Sequence, residues 1–163
     1  MLEDSIDADF ESGNLCRAFV STSEASEYFL MIENDTNTYG YNIWFFFRFK
    51  NMKKGQRTFN IVNMIKKTDN YKKGMQVSIF SMKKHQKDKT AWFKGGDRIN
   101  FGETNFTRMF HLTERYYYLS FQYEFEEDND EVYFALNQPY TYSRLANYIS
   151  GLEQRQLQDG VHV

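Results

Sequence analysis

The chain has 163 residues, a formal net charge of −2, 18% aromatic residues and a single cysteine. A chain of this length forms one domain and buries roughly 70% of its unfolded surface. The charge argues against nucleic-acid binding through bulk electrostatics, and one cysteine rules out an internal disulfide. The acidic N-terminal stretch lacks the apolar segment of a secretory signal. We therefore predict a cytoplasmic protein with no nucleic-acid or membrane partner.

The N-terminal part begins with polar sequence and continues into short strands. Residues 1–9 are predicted to form a flexible acidic lead-in. Residues 10–15 contain a Ser-Gly-Asn sequence, which predicts a turn because Gly and Asn tolerate positive φ. Strands are predicted over 17–20 and 28–32. The folded domain is therefore expected to begin at residue 10.

The stretch 43–49, with the sequence Ile-Trp-Phe-Phe-Phe-Arg-Phe, has the largest apolar area in the chain. Its seven residues are too few for a membrane span, which needs about 20. On a pleated strand, alternate residues share a face. One face has Ile43, Phe45, Phe47 and Phe49, and the other has Trp44, Phe46 and Arg48. Because both faces are largely apolar, we expect this strand inside a sheet, with the core built on it.

The middle of the chain alternates between short apolar runs and turns. A turn at Gly55 and a strand over 58–63 predict an antiparallel hairpin with the central strand. Gly95-Gly96-Asp97 predicts a second hairpin-like turn. Lys83 to Lys89 is predicted to be a solvated loop. Further strands are predicted over 75–81, 106–112, 116–125 and 132–136.

Helical periodicity begins only after Pro139. Leu145, Tyr148, Ile149 and Leu152 follow i, i+3, i+4, i+7 spacing, with Thr141 or Ser143 as the N-cap. Residues 154–163 are predicted to be a frayed tail or the start of a linker. About nine strands followed by one short helix predict an all-β antiparallel sandwich over residues 10–153.

The catalytic motifs in the chain are incomplete. His111 and Glu114 have the His-x-x-Glu spacing of two zinc ligands, but a catalytic zinc needs a third ligand and an open position. The other histidines, His85 and His162, lie in a lysine-rich segment and at the C-terminal end. Cys16 has no evident base partner. No catalytic residue, metal site or cofactor is predicted in this chain.

Several phrases, in this order and approximate spacing, resemble the N-terminal domain of the cytosolic carboxypeptidases. They are Phe10-Glu11-Ser12-Gly13-Asn14-Leu15, Asp35-Thr36-Asn37-Thr38, Trp44-Phe45-Phe46-Phe47 with Asn51, Asn63 with Lys66, Tyr71-Lys72-Lys73-Gly74-Met75, the single residues Ser81, Trp92, Gly96 and Ile99, then Phe134-Ala135, and Pro139-Tyr140-Thr141-Tyr142. The resemblance covers residues 10 to about 150. One departure is Ile43, where the family usually has Gln.

The resemblance implies a non-catalytic domain that packs in cis against a carboxypeptidase domain. That family comprises M14-type zinc enzymes that remove glutamates from tubulin and similar acidic tails. Zinc and the catalytic residues are then expected only in the other domain, and this domain is expected to assist folding, docking or substrate presentation. The alternative is a free-standing sandwich that binds a protein, peptide or carbohydrate, with Tyr116 and Tyr118 stacking on the ligand.

Two surfaces are candidates for binding. Tyrosines suit a domain interface because they bury a ring and keep a polar tip satisfied. We therefore expect docking through Tyr140, Thr141, Tyr142, Leu145 and Ile149, with packing inside this domain as the alternative. A basic segment, 66–94, has nine lysines against two aspartates. We hypothesise that it steers acidic peptides, such as tubulin tails, with scattered solvated lysines as the alternative. The lysines concerned are Lys66, Lys67, Lys72, Lys73, Lys83, Lys84, Lys87 and Lys89.

Overall fold

Two five-stranded sheets pack face to face in the computed structural model, which describes residues 5–38, 40–108 and 111–158. The strands are β1 (Ser5–Asp7), β2 (Arg17–Val20), β3 (Glu27–Met31), β4 (Phe46–Met52), β5 (Gly55–Met64), β6 (Val77–Ser81), β7 (Phe93–Gly95), β8 (Asp97–Arg108), β9 (His111–Phe125) and β10 (Asp130–Ala135). The helices are α1 (Met82–Asp88) and α2 (Tyr142–Gln158). This architecture confirms the predicted all-β sandwich with a C-terminal helix.

The strand order is β1-β4-β10-β6-β7 in sheet A and β2-β3-β5-β9-β8 in sheet B. Within the described residues the strand pairs are antiparallel, except that β3 runs parallel to β5. The strand predicted over 106–112 is divided between the end of β8 and the start of β9. Residues 109 and 110 of that prediction lie outside the described residues.

The core is built on the predicted central strand, as expected. Phe47 and Phe49 of β4 and the preceding Phe45 are fully buried between the sheets. The ring of Phe49 lies 4.7 Å, centroid to centroid, from that of Phe59 in β5 of the opposite sheet. The strand itself begins three residues later than predicted, at Phe46, and lies between β1 and β10.

The predicted hairpin between the central strand and residues 58–63 is wrong. β4 belongs to sheet A and β5 to sheet B, so the chain crosses between sheets at residues 53–54. The physical reason is that both strands turn a phenylalanine face toward the same core. If β4 and β5 had paired as neighbours in one sheet, their phenylalanine faces would lie side by side and could not pack against each other across the core.

The Gly95-Gly96-Asp97 turn is likewise a crossing and not a hairpin. β7 pairs with β6 in sheet A, whereas β8 pairs with β9 in sheet B. Gly96 has a φ of 92°, which side chains rarely adopt, and a Cβ there would lie 3.3 Å from Val77 Cγ2. The tight crossing therefore requires glycine at this position.

The prediction of a flexible lead-in over 1–9 is corrected at residues 5–7. These residues form β1, which pairs antiparallel with β4 at the edge of sheet A. Asp7 accepts hydrogen bonds from Arg48 at 2.8 Å and lies 3.2 Å from Lys50 Nζ. The partners of this segment are about 40 residues away in sequence, so its local polarity gave no sign of pairing.

The solvated loop predicted over Lys83 to Lys89 is mostly helix. Ser81 caps α1, because its Oγ accepts the Lys84 backbone N–H at 3.1 Å. The buried carboxylate of Asp130 accepts both the Ser81 hydroxyl, at 2.6 Å, and the Lys83 backbone N–H, at 3.1 Å. Only Lys89, in the left-handed conformation, follows the helix as its C-cap.

Helix α2 confirms the predicted C-terminal helix and extends it. Thr141 is an N-cap, since its Oγ1 accepts the Arg144 backbone N–H at 3.3 Å. Residues 154–158, predicted as frayed, continue the helix, and 159–163 lie outside the described residues. In the described part of the chain, neither helix is long and apolar enough to cross a membrane.

Candidate functional site

The apolar face of α2 is exposed to solvent. The predicted helical stripe is present, but Leu145 and Leu152 are each 39% exposed, Ile149 is 45% exposed and Tyr148 is 58% exposed. Side chains of this kind inside a sandwich are normally buried. The helix therefore presents its apolar stripe outward instead of packing it on the two sheets.

The tyrosines at the start of α2 extend the same exposed surface. Tyr140 is 57% exposed and Tyr142 is 77% exposed. The guanidinium of Arg144 lies 5.1 Å from the centre of the Tyr140 ring, which is cation–π distance. Together with Thr141, these residues place the predicted docking side chains on one segment, which we call the α2 face (residues 140–152).

A cleft of about 900 Å³ lies beside the start of this segment. One wall is formed by six residues of the segment 8–15, which we call the N-terminal strap. The cleft also borders Trp44 and Tyr140. Trp44 is half-buried and donates its indole N–H to the carbonyl of Ser12 at 2.8 Å. The strap, the indole and the start of α2 are therefore one continuous region.

The strap makes direct contact with α2 through Glu11. A carboxylate oxygen of Glu11 accepts the backbone N–H of Ser143 at 2.8 Å. This bond, with those from Thr141 and the Tyr142 backbone, lowers the pKa of Glu11 from its ordinary value. No local pattern indicates a role for this residue, because a glutamate in a turn carries no signal of a contact 132 residues away.

The eight candidate lysines are divided between the two ends of β6. Lys66, Lys67, Lys72 and Lys73 precede the strand and are exposed, whereas Lys83, Lys84, Lys87 and Lys89 follow it in and after α1. In the sequence, the two groups are separated by the five residues of β6 and the short segment before it. Lys84 forms an ion pair with Glu126 at 2.7 Å, and Lys83 donates to the Asp128 carbonyl. Two of the four lysines in the second group therefore already have acceptors within the chain.

The tyrosines of the alternative binding function are less available than expected. Tyr116 and Tyr118 are half-buried. The Tyr118 hydroxyl accepts a hydrogen bond from Asn100 Nδ2 at 3.0 Å, and its ring lies over Gly102, where a Cβ would be 2.9 Å from Tyr118 Cε1. Tyr118 thus packs on the neighbouring strand, which leaves little ring face for a stacked ligand.

The described residues contain no group of three or more His, Cys, Asp or Glu side chains that could hold a metal ion. The backbone of His111 pairs with Arg108 between β9 and β8, while its side chain lies outside the description. Cys16 is exposed and unpaired with another cysteine.

Arg48 organises a polar network on the outer face of sheet A. It contacts Asp7 at 2.8 Å and Glu131 at 3.0 Å, and its guanidinium lies 5.2 Å from the Phe10 ring. Burial raises the pKa of Asp7, but the hydrogen bonds from Arg48 and Lys50 outweigh burial, so that its pKa is lowered. This network attaches β1 to β4 just before the strap begins.

The pH dependence of this network is a direct test of its geometry. Because the folded pKa of Asp7 lies below the ordinary value of 3.8, its stabilisation is complete above that pH and is lost as pH falls through the folded pKa. We expect Asp7→Asn to lower the free energy of unfolding by about 1–2 kcal/mol at pH 7, measured by urea denaturation. The difference should shrink near pH 2.

Asp9→Asn is the matched control, since Asp9 is an exposed aspartate two residues after Asp7. It should change the free energy of unfolding by no more than about 0.5 kcal/mol. An Asp7→Asn loss that is the same at pH 7 and pH 2 would contradict the ion-pair interpretation.

The sequence of the chain matches the model of a protein family over most of its length. The model of the family described as cytosolic carboxypeptidase N-terminal domain matches residues 6–136.

This chain belongs to that family.

Relatives among the cytosolic carboxypeptidases are much longer than this chain. It is 33% identical to cytosolic carboxypeptidase 1 of Gallus gallus over 150 residues, which are 88% of this chain and 12% of the relative. It is 33% identical to cytosolic carboxypeptidase 4 of Mus musculus, covering 89% of this chain and 13% of the relative. Identity to cytosolic carboxypeptidase 2 of Danio rerio is 34%, covering 86% and 19%. The chain therefore spans less than a fifth of these relatives.

Solved structures share the fold of this cytosolic carboxypeptidase N-terminal domain. A putative carboxypeptidase A from Shewanella denitrificans matches with a TM-score of 0.61 and 21% identity, over 91% of this chain and 33% of that protein. A metallo-carboxypeptidase from Pseudomonas aeruginosa matches with a TM-score of 0.55 and 24% identity, over 90% and 32%. In both, about two thirds of the solved chain lies outside the match.

The family match ends at residue 136, so it covers the strands and the strap but not α2. The α2 face thus follows the last residue that the family model matches.

Proposed function

We propose that this chain is a non-catalytic accessory domain that docks in cis on a carboxypeptidase domain through the α2 face. In this proposal the whole protein is a cytoplasmic zinc carboxypeptidase that removes glutamates from acidic tails such as those of tubulin. The zinc and the catalytic residues belong to the partner domain, and this domain assists its folding or the presentation of its substrate.

The observation that carries the proposal is the exposed apolar stripe of α2. A contiguous stripe of Leu145, Tyr148, Ile149 and Leu152 facing water is unfavourable in a monomeric protein and typical of an interface. Tyrosine enrichment at Tyr140 and Tyr142 fits the core of such an interface. The relatives and solved structures support a carboxypeptidase domain as the partner, because their names describe carboxypeptidases and most of their length lies outside the match.

The proposed attraction of acidic substrate tails depends on the lysines of segment 66–94. The group before β6, namely Lys66, Lys67, Lys72 and Lys73, is the better candidate for steering, because these side chains are exposed. Lys72 has a weak contact at 4.0 Å with Asp69, itself exposed. The group at α1 contributes less, since Lys83 and Lys84 already bind acceptors within the chain. A glutamate-rich peptide is the chemistry this exposed group would attract.

Hydrogen exchange of this chain alone and within the full-length protein tests the docking surface. We expect the backbone amides of residues 145–152 to exchange about tenfold or more slowly in the full-length protein, because docking removes local opening of the helix. Ile149→Ser should abolish that added protection, since it removes an apolar anchor from the stripe. Asn147→Ser, an exposed polar position on the same helix, is the matched control and should retain it.

Equal exchange of residues 145–152 in the two proteins would contradict docking through α2. Added protection confined to other elements would place the interface elsewhere on the sandwich, which also contradicts the proposal.

A further inference from the structure

The N-terminal strap holds the start of α2 in a defined place. The Glu11 carboxylate accepts the Ser143 N–H at 2.8 Å and also bonds Thr141 and the Tyr142 backbone. The first-turn N–H groups of a helix have no acceptor within the helix. A carboxylate is also favoured there by the helix dipole. Glu11 therefore supplies, from a distant part of the chain, a second cap beside the local one from Thr141.

The strap is held by contacts on both sides of Glu11. On one side, the Asn14 backbone N–H donates to Phe46 at 2.8 Å, and the Trp44 indole donates to Ser12. On the other side, the Phe10 ring packs edge-on against Phe46, with centroids 4.7 Å apart. The carboxylate thus stands on a turn that is fixed to β4 at both ends.

The turn also contains one residue in a costly backbone conformation and one position with no space for a side chain. Ser12 has a φ of 66°, in the left-handed region. A Cβ on Gly13 would lie 2.0 Å from the Ala8 carbonyl oxygen, so only glycine fits. Such backbone is retained where the surroundings enforce it, and it is common at functional positions.

Other polar attachments of α2 to the sandwich are few. Within the described ranges, Glu11 is the sandwich residue that hydrogen-bonds α2. The Arg144 and Leu145 N–H groups bond Thr141 of the connector, by which we mean residues 136–141 between β10 and α2. The connector itself is tied at its start, where Leu136 N–H donates to the Phe45 carbonyl at 3.1 Å. With its apolar stripe exposed, α2 has little packing to set its direction.

We propose that the strap is an orientation clamp, in which Glu11 sets the direction in which α2 leaves the sandwich and loss of its bonds lets the helix swing about residues 137–141. A helix of 17 residues is about 25 Å long, so a 20° swing moves its far end by about 9 Å. Glu11 is a positioning residue, and its effect belongs to this chain alone. The clamp therefore does not depend on whether the α2 face docks on a carboxypeptidase domain.

Distances between two spin labels, measured by pulsed electron paramagnetic resonance, test the clamp. Spin labels are placed at Glu124→Cys on β9 and Glu153→Cys on α2, in a Cys16→Ser background; both label sites are exposed. We expect one narrow distance distribution with Glu11 present and about a doubling of its width in Glu11→Ala. Glu11→Gln should restore a narrow distribution, because its amide oxygen accepts the same N–H groups.

Amide exchange by NMR gives a second, local measurement in unlabelled protein. The Ser143 amide should exchange about tenfold faster in Glu11→Ala than in the natural chain, while the amides of 149–152 remain unchanged. Glu103→Ala is the matched control, since Glu103 is an exposed glutamate on β8. It should alter neither the distance distribution nor the Ser143 amide.

Three results would overturn the clamp. One is an unchanged distance distribution in Glu11→Ala, and another is equal broadening in Glu103→Ala. The third is unfolding of the sandwich in Glu11→Ala, seen as loss of the thermal transition, which would make the strap a determinant of the fold.

Discussion

Phe134→Ala is expected to lower the free energy of unfolding by about 3–5 kcal/mol, measured by urea denaturation at pH 7. Phe134 is fully buried on β10, in the middle of sheet A. Its ring lies 5.0 Å from Phe59 and 5.6 Å from Phe121, both in sheet B, and 5.6 Å from Phe47 in its own sheet. Truncation leaves a cavity lined by rigid aromatic rings, which collapse poorly, so the loss should fall in the upper part of the usual range.

Phe106→Ala is the matched control for Phe134→Ala. Phe106 is 67% exposed on β8, and its truncation should change the free energy of unfolding by less than about 0.5 kcal/mol. A loss below about 1.5 kcal/mol for Phe134→Ala would contradict a core in which the two sheets meet at this ring.

Asn63→Leu is expected to cost about 2–3 kcal/mol, for a reason of polarity and not of volume. Asn63 is buried on β5, and its side chain bonds both backbone groups of Ile32, which follows β3. Its Oδ1 accepts the Ile32 N–H at 2.9 Å, and its Nδ2 donates to the Ile32 carbonyl at 2.8 Å. With leucine at position 63, the Ile32 N–H loses its acceptor, whereas the Ile32 carbonyl still accepts a hydrogen bond from Asn42 Nδ2 at 3.1 Å.

Asn100→Leu is the matched control, because Asn100 is exposed and donates only to the Tyr118 hydroxyl among the described residues. Its cost should stay within about 0.5 kcal/mol by the same denaturation measurement. Comparable losses for the two variants would show that burial of an unsatisfied backbone N–H is not the dominant effect at Asn63.

These two positions indicate what the sequence motifs shared with the family do in the fold. Phe134 and Asn63 both belong to phrases that resemble the family, and both act inside the sandwich, one by packing and one by satisfying a neighbouring backbone. Glu11 belongs to another such phrase but is exposed, and its bonds lead out of the sandwich to α2. The first two are expected to govern stability, whereas the third governs the direction of the helix.

The amino-acid sequence by itself determined the fold class, the central strand and the C-terminal helix. These features have short-range signatures. Alternation along 43–49 places every second phenylalanine on one face whatever the partner strands are, and the spacing of Leu145, Ile149 and Leu152 produces a stripe in any helix. The ordered phrases also placed the chain in its family, which the match over residues 6–136 confirms.

Only the tertiary structure decided which strands pair, because pairing is a contact between distant segments. Gly55 and Gly96 predict turns equally well whether the chain returns to the same sheet or crosses to the other, and here both stretches cross. The buried faces of β4 and β5 demand opposition across the core, and that requirement outweighs the local preference for a hairpin. The pairing of β1 and the start of α1 also depend on contacts between distant segments. Arg48 on β4 pairs with Asp7 on β1, and Asp130 on β10 accepts a hydrogen bond from Ser81, which caps α1.

At the candidate site, too, the sequence indicated the residues and the tertiary structure decided their surroundings. The sequence pointed to Tyr140, Thr141, Tyr142, Leu145 and Ile149 as a docking surface, and the structure adds that this stripe faces solvent. Periodicity cannot distinguish an apolar stripe packed on the sheets from one that faces outward, since both have the same spacing. The clamp at Glu11 was invisible for a stronger reason, because its acceptor and donor are 132 residues apart and meet only when the sandwich closes.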